Sequence, residues 1–578
     1  MRLRLRFALS VVLIAVGCQP AATPAEKSAT GPGQYDVVIS GGKIIDGTGN
    51  PYFYGDVGIA NGRIARITAP GLLANATTKQ RVNATGKIVA PGFIDIQAQS
   101  VAEFTFGDGR VLSMVTQGVT TAIMGEGESA APVNGKILEI WKSPGNPYAA
   151  AADSLGAKFK NPHGFNSWLE AMAQHGMSEN AGSFLGAGTV RVYAKGQAEG
   201  APTPAELDTM RTVVRQAMED GAMGVASALI YPPGNYAGTA ELTEMAKAMS
   251  PLGGVYITHM RSEADQFLEA IDEAFAIGHN GGVPVEIFHL KASGTKNWPK
   301  MALAIAKIDS ARAAGADVGA DMYLYTAGGT GLAACAPPWA AADGKLLQNL
   351  ADPAVMPKIK AAMLHPAVGS EGLCLLGGPG AIQLSGFLKP ENKAWEGKRL
   401  NEVAASMKKD WVDAWAALVL SEPGVGMLVH MMTESNLPLQ LRQPWLKIGT
   451  DANGVDPDSV KGAKMHPRTY GNYPRLLGRY VREQKVLTWE EAIRKSTSAV
   501  ANRLSIRDRG TLSEGKYADV IVFDPNTIID KATFEDPNQL SVGMEQVFVN
   551  GVQVLADGKH TGAKPGKVVR GPGWTGWK

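Results

Sequence analysis

Cysteine is almost absent: the 578 residues hold three, Cys18, Cys335 and Cys374. There is no Cys-x-x-Cys pair and no His/Cys zinc spacing, so the motifs of a zinc finger or a dithiol redox centre are missing. No Gly-x-Ser-x-Gly elbow occurs, and a covalent serine intermediate therefore has no supporting motif. Charge of one sign is also lacking. Lys and Arg number 56 against 54 Asp and Glu, a net charge of +2. With no basic run and no base-stacking aromatic cluster, no nucleic-acid partner is expected. What is present, 45% hydrophobic and 19% charged residues, fits a globular domain. The length suits a large barrel with attachments.

The one apolar run at the start, Phe7–Val16, falls short of the ~20 residues that span a bilayer. Arg2, Arg4 and Arg6 precede it and Ala15-Val16-Gly17-Cys18 closes it, the layout of an export signal. Small residues before Cys18 resemble a bacterial lipoprotein signal over residues 1–18, with an ordinary signal cut nearby as the alternative. Residues 19–33 read as a tether. Such a protein would sit on the periplasmic side of a bacterial membrane, its only membrane contact a lipid on Cys18. In an oxidising compartment Cys335 and Cys374 either pair or stay as buried thiols.

Both ends of the remaining chain have a strand texture. Asp36–Ser40, Lys43–Gly47, Asp56–Ile59 and Arg63–Ile67 alternate between Gly, Asn and Asp turns, and Ala518–Phe523 and Val547–Val552 repeat the pattern. This predicts one β-sandwich from residues 34–88 and 506–578. Between them lie eight short apolar runs: 88–96, 120–124, 181–186, 222–231, 255–259, 283–289, 316–325 and 445–451. Amphipathic stretches such as Pro204–Glu219 and Glu263–Ile277 separate many of them. Eight strand–helix units imply an α/β fold, a (β/α)8 barrel over residues 89–505. The long gap before the eighth run, about 328–444, predicts an inserted subdomain over the barrel mouth.

Barrel active sites lie at the C-terminal strand ends. The second run ends in Gly125-Glu126-Gly127, the fifth in His259, the sixth in His289 and the eighth in Asp451. A lone histidine at a strand end is an ordinary core residue. Two imidazoles and two carboxylates at four strand ends form a set that suits zinc.

Several segments resemble the N-acyl-D-amino-acid deacylase (D-aminoacylase) family of the amidohydrolase superfamily. They include Ala90–Asp95, Gly186–Arg191, Ile230–Gly234, His259–Glu263, Tyr325–Gly328 and His466–Gly471, in order from about residue 35 to 560. The resemblance implies a barrel with a β-sandwich and a metal held by His259 and His289. It also implies Asp451 as metal contact and general base, taking a proton from water and passing it to the leaving nitrogen.

Two departures stand out. The family's Ile-Asp-x-His-x-His is here Ile94-Asp95-Ile96-Gln97-Ala98-Gln99, and a neutral amide is a poor zinc ligand. One tightly held Zn2+ is expected, with a second site weak or absent. Where many relatives carry a metal-binding cysteine, this chain has Glu126, an anionic replacement or a plain turn residue. Lys291, two residues past His289, is either a direct participant or a charge partner. Arg261 and Arg191 are candidates to grip a carboxylate, and Tyr231 and Tyr323 to hydrogen-bond the amide, with structural roles as the alternative for each. His466 either orients substrate or caps the Pro474–Glu483 region. The reading is hydrolysis of a linear amide, an N-acyl-D-amino acid first. A D-residue-preferring dipeptidase or other small amidase is the alternative, and an impaired ligand-binding scaffold the alternative of another class.

Overall fold

The computed structural model describes residues 34–143, 146–367, 371–460 and 462–576. The export signal, Cys18 and the tether expected over residues 1–33 lie outside the described residues. None of the described helices is long and apolar enough to cross a membrane.

The first and last strands of the described residues meet in one nine-stranded sheet. The join is antiparallel, Ile88–Pro91 against Val520–Phe523. The sequence separates Asp36–Ser40 from Lys43–Gly47, but the structure shows one strand, Gln34–Ile44, that changes partner midway. Its first half pairs with Thr77–Asn83 and its last residues with Ile88 and Val89. Gly41 and Gly42 permit the bend. Gly41 has φ +70°, and a Cβ on Gly42 would meet Val89 Cγ2 at 2.4 Å. The sheet thereby folds over its own core, in which Val37, Ile59, Val520 and Phe548 are buried.

The barrel strands are Phe93–Asp95, Val119–Met124, Asn180–Gly186 (two short strands with Phe184 between), Gly224–Ala228, Val255–His259, Val285–Ile287, Val318–Met322 and Leu446–Ile448. All neighbouring pairs are parallel. The eighth closes on the first through a bridge between Ala98 and Ala452 and the Asp451 N–H to Gln97 carbonyl bond of 2.8 Å. Asp95 secures the seam. Its buried carboxylate accepts the backbone N–H of Thr450 at 2.9 Å and the Thr450 hydroxyl.

Between the seventh and eighth strands the chain builds a separate body. Ala327–Gly331, Gly426–His430 and Ile382–Ser385 form an antiparallel sheet, and helices from Leu332 onward enclose a second core around Trp415, Leu400 and Phe387. Helix Asn436–Leu441 already belongs to the barrel, where Leu437 and Leu441 pack. Cys335 and Cys374 are bonded inside the insert, Cα atoms 5.3 Å apart, a pairing that persists in oxidising compartments. The last residues leave the sheet. Residues 565–571 run beneath the third and fourth barrel strands, with Gly566 N–H on Met177 O and Gly571 N–H on Gly221 O, and Val569 enters the barrel's lower core. The sequence assigned this tail to the sandwich; its Gly566 and Gly571 instead allow close backbone contact with the barrel floor.

Candidate active site

Four strand ends deliver the expected cluster. His259 ends the fifth strand, Glu126 and His289 stand two residues beyond the second and sixth, and Asp451 three beyond the eighth. Glu126 Oε1 lies 3.0 Å from His259 Nδ1 and 3.1 Å from His289 Nε2. One ligand atom from each of these residues falls within 4.8 Å of the others, so a single ion fits among them. His289 and Asp451 both adopt left-handed backbone, φ +33° and +50°, which costs of order 1–3 kcal/mol per non-glycine residue. The neighbours hold them there: the His289 N–H donates to Asp321 Oδ1 at 2.9 Å, and Asp451 N–H to Gln97 O at 2.8 Å.

The charges are tightly balanced. Burial opposes the Glu126 charge, yet His289 and His259 hold its carboxyl well below the usual range. Burial lowers His259. Burial and the Lys291 ammonium act against protonated His289, but Glu263 and Glu126 push it up to about 10. Asp451 is raised by burial, with the Arg468 guanidinium pulling the other way.

Around this cluster is a shell of donors. Gln97 Nε2 and Gln99 Nε2 each donate to Glu126 Oε2 at 2.7 Å, and Gln99 reaches Asp451 Oδ1 at 3.3 Å. The glutamines standing where the family has histidines therefore orient a carboxylate. Lys291 Nζ lies 2.7 Å from Glu263 Oε1 and 2.7 Å from His289 Nδ1, on the side of the ring away from Glu126. Glu263 also lies 3.0 Å from His289 Nδ1. The insert reaches in through Glu371, which accepts from Ser262 Oγ at 2.5 Å and from the N–H groups of Glu263 and Ala264 at 2.5 and 2.7 Å.

The cluster opens into a cavity of about 880 Å³ that Tyr231, Tyr323 and His466 also line. The Tyr231 ring sits 5.2 Å from that of His259, and the Tyr323 ring 6.4 Å from that of His289. Burial keeps both phenols protonated. Arg191 and Arg261 are not in the cavity wall, which corrects their expected role. Arg191 pairs with Glu241 at 2.5 Å and donates to the Ala198 and Gly200 carbonyls. Arg261 holds Glu273 with two nitrogens at 2.9 Å each and donates to the Asn235 and Ala237 carbonyls.

The guanidinium that does line the cavity is Arg468. Its Nη1 is 2.7 Å from Asp451 Oδ2, its plane lies 4.4 Å over Tyr323, and its buried Nε has no hydrogen-bond partner. It starts helix Arg468–Arg475. His466 serves that helix start, accepting the Arg468 N–H on Nδ1 at 3.0 Å and donating from Nε2 to Ala327 O at 2.9 Å. The available signal for Arg468 was its place in the His466–Gly471 motif, in the same loop as Asp451.

Residues 411–555 match the model of the Amidohydrolase family. The D-aminoacylase of Alcaligenes xylosoxydans xylosoxydans is 31% identical over 536 residues, 93% of this chain and 97% of that protein. The N-acyl-D-glutamate deacylase of the same organism is 33% identical over 538 residues, 93% of this chain and 96% of that one. The N-acyl-D-glutamate deacylase of Bordetella bronchiseptica superposes with a TM-score of 0.75 at 29% identity, covering 93% of this chain and all of that one. That structure holds zinc and a phosphonate inhibitor mimicking the tetrahedral intermediate.

Proposed function

The chain belongs to the D-aminoacylase family of metal-dependent amidohydrolases, and we propose that it hydrolyses N-acyl-D-amino acids to a carboxylate and a free D-amino acid. The observation that carries this is the convergence of Glu126, His259 and His289 on one point, with Asp451 and Arg468 facing the same cavity. The donor set fits a single zinc ion, which Glu126, His259 and His289 would hold, with Asp451 lining the same cavity. Zinc, when bound, acidifies water and polarises the scissile carbonyl.

The protein's own groups do the rest. Asp451 takes the proton of the attacking water and returns it to the departing nitrogen. Arg468, whose Nε has no partner while its Nη1 pairs with Asp451, receives the substrate carboxylate. Tyr231 and Tyr323, kept protonated, offer hydroxyl donors to the developing oxyanion. Lys291 and Glu263 fix the His289 ring from behind, leaving Nε2 toward Glu126. Gln97 and Gln99 supply amide donors to Glu126 and offer a second ion only neutral amide oxygens, which are poor zinc ligands.

The test is amino-acid release by the purified, zinc-supplemented protein from paired N-acetyl-D- and N-acetyl-L-amino acids. Release from the D series alone is expected. Release from the L series only, or from neither, contradicts the proposal.

A further inference from the structure

The turn that follows His259 is shaped from outside the barrel. Ser262 Oγ accepts the backbone N–H of Ala264 at 3.3 Å and that of Gln266 at 3.1 Å, which curls the chain after the fifth strand. The insert closes the curl. Glu371 Oε1 accepts the Ser262 hydroxyl at 2.5 Å, the Glu263 N–H at 2.5 Å and the Ala264 N–H at 2.7 Å. Its other oxygen, Oε2, is buried without a hydrogen-bond partner, so the hydrogen bonding of this carboxyl group goes to the turn. Backbone donors converging on a carboxyl oxygen are among the stronger hydrogen bonds a protein makes.

That turn carries Glu263, which stands behind both histidines of the cluster. Glu263 is buried, and its Oε1 lies 3.0 Å from His289 Nδ1, 3.7 Å from His259 Nε2 and 2.7 Å from Lys291 Nζ. A carboxylate behind a ligating imidazole sets the tautomer and the direction of the ring. Glu263 can do this for two rings only while its own backbone keeps its place. Its N–H is held by Glu371, and its carbonyl accepts the Ser293 N–H at 2.7 Å, from the loop after His289.

The segment that carries Glu371 is itself anchored. Leu373 and Cys374 are buried in the core of the insert, and Cys374 is bonded to Cys335. The insert also grips the loop after the sixth strand, where Met431 O accepts the Gly294 N–H at 2.8 Å and the Trp298 indole N–H at 2.9 Å. It thus reaches behind both histidines.

We propose that Glu371 is a positioning residue of the metal site: from the insert it fixes the turn that aims Glu263 at His259 and His289, and so sets the affinity for zinc. Glu371 is not part of the cavity wall and acts through Glu263. The proposal rests on the metal-dependent deacylase reading and gives the insert a part in building the metal site as well as roofing it.

The test withdraws zinc from the full-length, zinc-loaded protein with a competing chromogenic chelator at neutral pH. Glu371→Ala is expected to bind zinc about 10–100-fold more weakly than the unmodified protein. Glu371→Gln keeps a carbonyl oxygen for the three donors and recovers most of that loss. In a Glu263→Gln background the cost of Glu371→Ala shrinks, because the residue through which it acts is already altered. Thermal melting shows that each variant is folded. If Glu371→Ala does not fold, Glu371→Asp, one methylene short of the turn, takes its place with the same expected direction. Zinc affinity within about twofold of the unmodified protein in Glu371→Ala, or in the Asp variant standing in for it, overturns the proposal. So does a Gln variant as weak as the Ala variant, or an undiminished loss in the Glu263→Gln background. Release of D-amino acids by the unmodified protein then leaves the deacylase reading standing. An unmodified protein that binds no zinc overturns both.

Discussion

At the scale of single residues, the proposed chemistry rests on Asp451 and Arg468. Asp451→Asn keeps shape and loses the base, so turnover falls by about 10²–10⁴-fold while fold and bound metal stay, as steady-state kinetics and metal analysis would show. Arg468→Met removes donors to a charged carboxylate, a loss of about 1.5–3 kcal/mol, or a roughly ten- to hundredfold rise in KM. It has a pH signature too. Burial raises Asp451 and Arg468 lowers it; without the guanidinium the Asp451 pKa climbs further. Asp451 works as a base only when ionised, so the acid limb of kcat/KM moves to higher pH in the variant. An acid limb that stays in place contradicts the assignment. The cluster itself was legible because barrel chemistry is confined to strand ends, and Glu126, His259, His289 and Asp451 each stand at one. The arginine in the cavity wall was not. Arg191 and Arg261 sit next to motifs, but a sequence does not show that Glu241 and Glu273 lie across from them. Nor does it show the loop that folds Arg468 back onto Asp451.

At the scale of elements, the insert is a body with its own core, and its contribution to the site is separable from the barrel's. It supplies Gly329, Met427 and Leu428 to the cavity wall and Glu371 to the turn after His259. Trp415 is fully buried in it and donates from Nε1 to the Leu332 carbonyl at 2.8 Å. Trp415→Ala leaves a cavity and costs about 3–5 kcal/mol. Calorimetry should show the insert melting ahead of the barrel; one unshifted transition contradicts its independence. The strand–helix rhythm announced the barrel because period-2 and period-3.6 apolar patterns alternate along the chain. The bend of Gln34–Ile44 at Gly41-Gly42 was not legible as a continuous strand, since two glycines there read equally well as a turn. The tail under the barrel was hidden for a similar reason: Gly566 and Gly571 make contacts through backbone atoms, which leave little hydrophobic pattern.

At the scale of the whole molecule, barrel and insert converge on one cavity around Glu126, His259 and His289. The sandwich ties the first and last strands of the described residues together, the barrel sets four strand ends around a point, and the insert roofs it. Gln97 and Gln99 turn their amides to Glu126, and one three-ligand cluster, Glu126, His259 and His289, stands among the described residues. The most direct measurement is activity as a function of zinc bound per chain, titrated into metal-free protein at neutral pH. Activity rising in proportion to zinc and levelling at one ion per chain is the expected result. Activity that needs a second ion, or full turnover with none bound, would contradict a single centre at Glu126, His259 and His289.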